Sequence, residues 1–155
     1  MTEGARILAI DDEAGIRFFI QEALRRAGHH VTTASSGEEA LALLEVESFD
    51  LAIIDLRLKD VDGLEVLATL RERWPETVAI FLTAHGSLES ALEALNVGAS
   101  DYVPKPCSMK ELRHTVLRAL DPTERVRRRQ ALLAGLTESG YDALESIREQ
   151  PALAQ

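Results

Sequence analysis

The sequence has little that belongs outside a reducing compartment. Among its 155 residues there is one cysteine, Cys107, which excludes an internal disulfide. It has no apolar run approaching the roughly 18–20 residues of a membrane span. The opening MTEGARILAI lacks the basic head and long apolar middle of a secretory signal. These absences set the expectation of a cytoplasmic protein with no membrane partner. Positive charge is also in short supply: the net charge of −9 argues against broad electrostatic binding to nucleic acid, which needs a basic surface. What is present is an ordinary globular composition, 46% hydrophobic and 28% charged, with a length suited to one domain with a full core. No internal repeat or low-complexity tract interrupts it.

Along the chain, strand and helix patterns alternate. Arg6–Ile10 reads as a strand. Ala14–Ala27 reads as an amphipathic helix with Ile16, Phe19, Ile20, Ala23 and Leu24 on one face, ended by Gly28. His30–Ala34 is a weaker, more polar strand suited to a sheet edge. Ser36 and Glu39 have the spacing of a capping box for a helix to about Glu45. Leu51–Asp55 is a third strand, Leu64–Arg73 a third helix stopped by Trp74-Pro75, Val78–Thr83 a fourth strand, and Leu88–Val97 a fourth helix ended by Gly98. Asp101–Pro104 is a short fifth strand, and Ser108 with Glu111 opens a helix to about Leu120. Five strand–helix units in succession predict an α/β fold, a doubly wound parallel sheet with helices on both faces. After Asp121-Pro122 no strand follows. TERVRRRQALLAGL reads as a basic-then-apolar helix, with a second piece at 141–149 beyond Gly140. The expected organisation is therefore a domain over 1–120 and a helical tail or linker over 121–155, too short for a second ordinary domain.

Ligands of such sheets bind outside the carboxyl ends of the strands. There the first strand delivers Asp11, Asp12 and Glu13, the third Asp55, the fourth Thr83, and the fifth Lys105. Crowded aspartates repel one another and suit a hard, oxygen-seeking cation, Mg²⁺ being the obvious one. A lysine and a hydroxyl beside them suit phosphate oxygens. Each residue alone has an ordinary explanation: an N-cap for DDE, a turn for Asp55 and Thr83, a solvated charge for Lys105, half-buried packing for Tyr102. Their joint placement at one sheet edge points instead to phosphoryl transfer to a carboxylate.

The pieces ILAIDDE, DLAIIDLRLKDVDGLEVL, IFLTAHGS and GASDYVPKP, in that order at successive strand ends, resemble the receiver domain of two-component response regulators over about Ala5 to Leu120. The wording TAHGS…GASDYVPKP is most similar to receivers of nitrogen-regulation and fixation-type transcription factors. The resemblance implies a flavodoxin-like sheet of five strands in the order 2-1-3-4-5. It implies a signalling switch rather than an enzyme, catalysing only its own phosphoryl transfer and dephosphorylation. Asp55 would be the phosphoacceptor. Mg²⁺ would be held by Asp12, Asp55 and the backbone carbonyl of Arg57, with Asp11 acting through water. Lys105 would pair with Asp55 or its phosphate, Thr83 would bond the phosphate, and Tyr102 would be the switch aromatic that turns inward on activation. The Lys105-Pro106 peptide would be cis. Arg57 and His85 would border the phosphoryl group and slow its hydrolysis. The donor would be a histidine kinase or histidine phosphotransfer protein, and a homodimer is a further partner. The chain would work as a stand-alone regulator, a phosphorelay carrier or the receiver of a larger protein.

Some positions depart from the family pattern. Lys59 stands where many receivers have proline, which predicts a looser loop, and Cys107 replaces a frequent phenylalanine as a packing residue. His29, His30 and His114 lack metal-ligand spacing and are expected at the surface. Trp74 is expected to pack at a helix end away from the acids. Arg125, Arg127, Arg128 and Arg129 read as a solvated helix face or linker rather than a phosphate-binding surface, so no direct DNA binding is expected. The alternative function is a phosphorylation-independent pseudo-receiver, a docking or dimerisation module. The intact acid, threonine and lysine set speaks against it.

Overall fold

A computed structural model describes residues 4–84 and 86–139. Its elements are β1 (Arg6–Ile10), α1 (Ala14–Arg25), β2 (His30–Ala34), α2 (Gly37–Val46), β3 (Leu51–Ile54), α3 (Gly63–Arg73), β4 (Val78–Thr83), α4 (Leu88–Val97), β5 (Asp101–Pro104), α5 (Met109–Leu120) and α6 (Pro122–Ser139). The strands form one parallel sheet in the order β2-β1-β3-β4-β5, with the polar β2 at an edge.

The strand period of two sends alternate side chains to opposite faces, and both faces are covered. Ile7, Ala9, Ile53 and Ile80 pack with Ile20 and Leu24 of α1 and Leu112 and Val116 of α5. Leu8, Ile10, Ile54 and Phe81 pack with Leu44 of α2, Leu67 of α3 and Leu95 of α4. These apolar layers fix the register, and with it the common edge at which β1, β3, β4 and β5 end.

The boundaries differ from expectation in small ways that have physical causes. The regular part of α1 stops at Arg25 because its last turn tightens, with Ala27 N–H donating to the Leu24 carbonyl and Gly28 N–H to that of Arg25. Gly28 then takes φ 92°, a left-handed conformation that favours glycine. At α2 the Ser36 hydroxyl accepts the Glu39 N–H as expected. The Glu39 carboxylate, however, takes the N–H and hydroxyl of Ser35 rather than the Ser36 N–H, so the box is displaced by one residue. The box at Ser108 and Glu111 is complete. The sequence reading missed one at Ser87 and Ser90, because serine replaces the usual glutamate there. The Lys105-Pro106 peptide is cis, as the resemblance implied.

The segment after Asp121 departs further from its reading. Of its arginines, Arg127 fits a solvated face, exposed and paired with Glu124 at 3.2 Å. The others turn inward. Arg125 donates to the Ala119 carbonyl at the end of α5 (2.8 Å), Arg129 to the Leu95 carbonyl in α4, and Arg128 to Asp101 of β5 (3.3 and 3.4 Å). Leu132 is buried in the same apolar cluster as Leu95. The expectation of a solvated arginine run fails because helix-end carbonyls and one buried carboxylate lie within reach of α6. The expected helical piece at 141–149 lies outside the described residues. Among those described, no helix is long and apolar enough to cross a membrane.

Candidate functional site

β3 ends at Ile54, so Asp55 is the first residue past the central strand. Its N–H still donates to the Ile10 carbonyl (3.0 Å), which fixes the carboxylate beside the β1 end. Asp55 is only 4% exposed and Asp11 only 1%, while Asp12 is half-buried. One carboxylate oxygen from each of the three lies within 4.8 Å of the others. Asp11 is oriented by its own turn: its Oδ1 accepts the Glu13 N–H at 2.9 Å.

Lys105 enters this group from the end of β5. Its N–H bonds the Thr83 carbonyl (2.9 Å), tying the β5 exit to the β4 end. Its Nζ lies 2.7 Å from Asp11 Oδ2, 3.5 Å from Asp55 Oδ2 and 3.9 Å from Glu13 Oε1. The principal partner in this conformation is thus Asp11, with Asp55 second. Burial works against the Lys105 ammonium, but the hydrogen bond to Asp11 and the surrounding carboxylate charges outweigh it, and its pKa is raised. Burial also raises the Asp11 carboxyl, and Lys105 offsets this only in part. Both shifts favour the protonated form, which charges the lysine but neutralises the acid, so they pull the ion pair in opposite directions. The close contact and the surplus of acids over bases make the protonated lysine the firmer of the two.

Thr83 is fully buried at the end of β4. Tyr102 already lies inward. It is 2% exposed, with its ring centroid 6.3 Å from that of Phe81 and its hydroxyl 3.3 Å from Ser90 Oγ of α4. Burial raises the Tyr102 phenol, partly offset by the Ser90 bond. Arg57 is exposed beside the site, and its N–H faces Asp55 Oδ1 at 3.4 Å. His85 lies outside the described residues. Beside α4 lies a groove of about 520 Å³, lined by Arg57, Asp62, Gly86, Ser87, Ser90 and Glu93.

Two contributors escaped the sequence reading. Arg17 of α1 donates to the Asp11 carbonyl at 2.8 Å and holds the acid-bearing loop. Its place one turn into a helix that follows the acids was the available signal. Asp60 accepts the N–H groups of Gly37 (2.9 Å) and Glu38 (2.8 Å) at the start of α2, which depresses its pKa. The loop with Lys59 is therefore tied down rather than loose, and no proline ring is needed. Cys107 packs beneath α5, with burial pushing its thiol up to about 11, in keeping with packing rather than thiolate chemistry. Of the histidines expected at the surface, His30 is exposed. His29 and His114 are half-buried, and His29 Nδ1 accepts the Ala5 N–H at 3.0 Å. Trp74 caps the end of α3, its Nε1 donating to the Leu44 carbonyl (2.6 Å).

A sheet of this order with acids, a threonine and a lysine at its carboxyl edge defines a phosphoryl-accepting receiver. The chain belongs to the response regulator receiver domain family, which matches residues 7–117. It is similar to the alginate biosynthesis transcriptional regulatory protein AlgB of Pseudomonas aeruginosa, at 40% identity over 96% of this chain and 32% of that protein. It is also similar to the DNA-binding transcriptional regulator NtrC of Salmonella typhimurium, at 37% identity over 74% of this chain and 24% of that one. The chain thus spans about a third or less of the curated relatives it matches. Among solved structures it is similar to a CheY-like receiver domain protein from Methanospirillum hungatei. There the TM-score is 0.75 at 33% identity, covering 80% of this chain and 98% of that one. The expectations of fold, family and nitrogen-regulation-type wording hold, and nothing favours the pseudo-receiver alternative. Receivers bind Mg²⁺ at an acidic pocket, and among the described residues the acid cluster lies at the edge where that pocket is expected.

Proposed function

We propose that this receiver takes a phosphoryl group onto Asp55 from a histidine kinase or histidine phosphotransfer protein in the cytoplasm and signals by a shift between two conformations. The observation that carries the reading is the setting of Asp55: nearly buried at the end of the central strand, among two other aspartates, and 3.5 Å from the Lys105 ammonium.

The Asp55 carboxylate oxygen would attack phosphorus, forming a P–O bond as the P–N bond to the donor imidazole breaks. The all-oxygen donor set fits Mg²⁺, which Asp12, Asp55 and the Arg57 carbonyl would hold, with Asp11 through water. When bound, the ion would neutralise charge on the transferring oxygens. Lys105 stays protonated and turns from Asp11 toward the new phosphate. Thr83 donates its hydroxyl to a phosphate oxygen, and the inward Tyr102 is the state that phosphate favours. Residues 1–120 would form the switching unit, and 121–155 a helical tail or linker. No direct DNA contact is proposed for this chain, and a homodimer is the further assembly we propose.

The test is incubation with acetyl phosphate, with and without Mg²⁺. Acid-labile label that depends on Mg²⁺ is expected. A folded protein that takes none would overturn the proposal. Once labelled, slow hydrolysis is expected on the proposal that Arg57 and His85, two positions past Asp55 and Thr83, would border the phosphoryl group and leave little space for an in-line water. Arg57→Asn and His85→Ala should each speed single-turnover decay several-fold. Unchanged decay in both would remove them from the mechanism.

A further inference from the structure

Gly86 lies in the short connection between β4 and α4, just before the N-cap Ser87. Among the described glycines only Gly28 and Gly98 have φ in the left-handed region. Backbone conformation therefore does not demand glycine at 86. Space does. A Cβ built on Gly86 would stand 2.8 Å from the Tyr102 hydroxyl oxygen, 3.1 Å from Cε1 and 3.4 Å from Cζ. The first two are closer than a side-chain carbon normally comes to a neighbour, and the third is an ordinary contact.

The ring is held in its inward place by several contacts. It is 2% exposed, it leans on Phe81, and its hydroxyl is held 3.3 Å from Ser90 Oγ. Gly86 itself is exposed, but the ring it meets is buried in a close-packed interior, so relief falls on the ring as a discrete rearrangement or on the loop as a shift. The available rearrangement is a rotamer change of Tyr102, since side-chain torsions move between separate wells.

We propose that Gly86 is a positioning residue for Tyr102: the missing side chain at 86 admits the inward ring, and any Cβ there drives the ring out. The steric claim stands on its own. Its consequence for signalling rests on the proposed role of Tyr102 as the switch.

The experiment separates the two. Fluorotyrosine replaces the two tyrosines, Tyr102 and Tyr141, and fluorine NMR is recorded without any phosphodonor. Loss of a line in Tyr102→Phe assigns it. In Gly86→Ala, and in Gly86→Ser as a second variant with the same Cβ, the Tyr102 line is expected to gain the solvent isotope shift of an exposed ring. A Tyr102 line that stays buried in both variants overturns the proposal. Beryllofluoride is then titrated in Mg²⁺. Gly86→Ala is expected to weaken its binding about fivefold or more, the scale of a typical coupling between two sites, and to have no effect in a Tyr102→Ala background. An equal loss in that background also overturns the proposal, because the loop and not the ring would then carry the effect. Wild-type protein that ignores beryllofluoride would sink the signalling reading while leaving the first measurement to decide the steric one.

Discussion

Asp55→Asn is expected to remove phosphorylation altogether, a loss of at least about three orders of magnitude in labelling rate, as when a nucleophile is deleted. The amide keeps the shape of the side chain, and the Asp55 N–H to Ile10 carbonyl bond belongs to the backbone and survives. Lys105 keeps its closer partner Asp11 at 2.7 Å. Losing one of three crowded carboxylates relieves repulsion, so the melting temperature should hold or rise. The comparison variant is Asp12→Asn, which keeps the nucleophile and removes a proposed Mg²⁺ ligand. It should still label, but at higher Mg²⁺. The measurement is acid-labile label from acetyl phosphate against time, at several Mg²⁺ concentrations. Label in Asp55→Asn at the wild-type rate would move the phosphoacceptor elsewhere. Equal Mg²⁺ dependence in Asp12→Asn would remove Asp12 from the ion site.

Much of this site was legible because it depends on sequence order. A run such as Leu51–Ile54 is buried on both sides, and a parallel sheet delivers the residue after each strand to the same edge, so Asp11, Asp55, Thr83 and Lys105 meet there. What was not legible depends on which of several near partners a side chain reaches. Lys105 stands among three carboxylates, and order along the chain does not say that Asp11 is nearest. Glu39 chooses Ser35 over Ser36 on a similarly local geometry. Asp60 shows the same limit at longer range: its role at the start of α2 crosses more than twenty positions of chain, and a proline lost at Lys59 suggested slackness that Asp60 prevents. The arginines of α6 are the largest case. A charge run indicates a solvated face unless acceptors are known to wait for it, and the acceptors here are a buried aspartate and two backbone carbonyls in other elements.

Those acceptors set the second large effect. Asp101 is 1% exposed at the start of β5 and serves three donors: the Tyr102 N–H at 2.8 Å, Arg118 Nη2 of α5 at 2.8 Å, and Arg128 Nε of α6 at 3.3 and 3.4 Å. Arg118 is itself buried, and its Nε and Nη1 have no hydrogen-bond partner among the described residues, so Asp101 alone balances its charge. Replacing a buried pair with apolar groups can be neutral, but removing one partner strands the other at a cost of about 3–5 kcal/mol. Asp101→Asn keeps the shape and strands Arg118. It should lower the melting temperature by roughly 6–20 °C, given about 3–5 kcal/mol and about 2–4 °C per kcal/mol at this chain length. Arg128→Ala should cost much less, because Asp101 and Arg118 remain paired and Arg128 is partly exposed. Its signature should instead be local: faster amide exchange along α6, with the sheet unchanged. A melting temperature within the range of surface substitutions for Asp101→Asn would show that Arg118 finds compensation elsewhere. Unchanged exchange in Arg128→Ala would mean that Leu132 and the two carbonyl contacts hold α6 without the ion pair. If both effects appear, the residue just before Tyr102 anchors the tail helix, and a change at the phosphoryl edge has a direct mechanical route through β5 to α6.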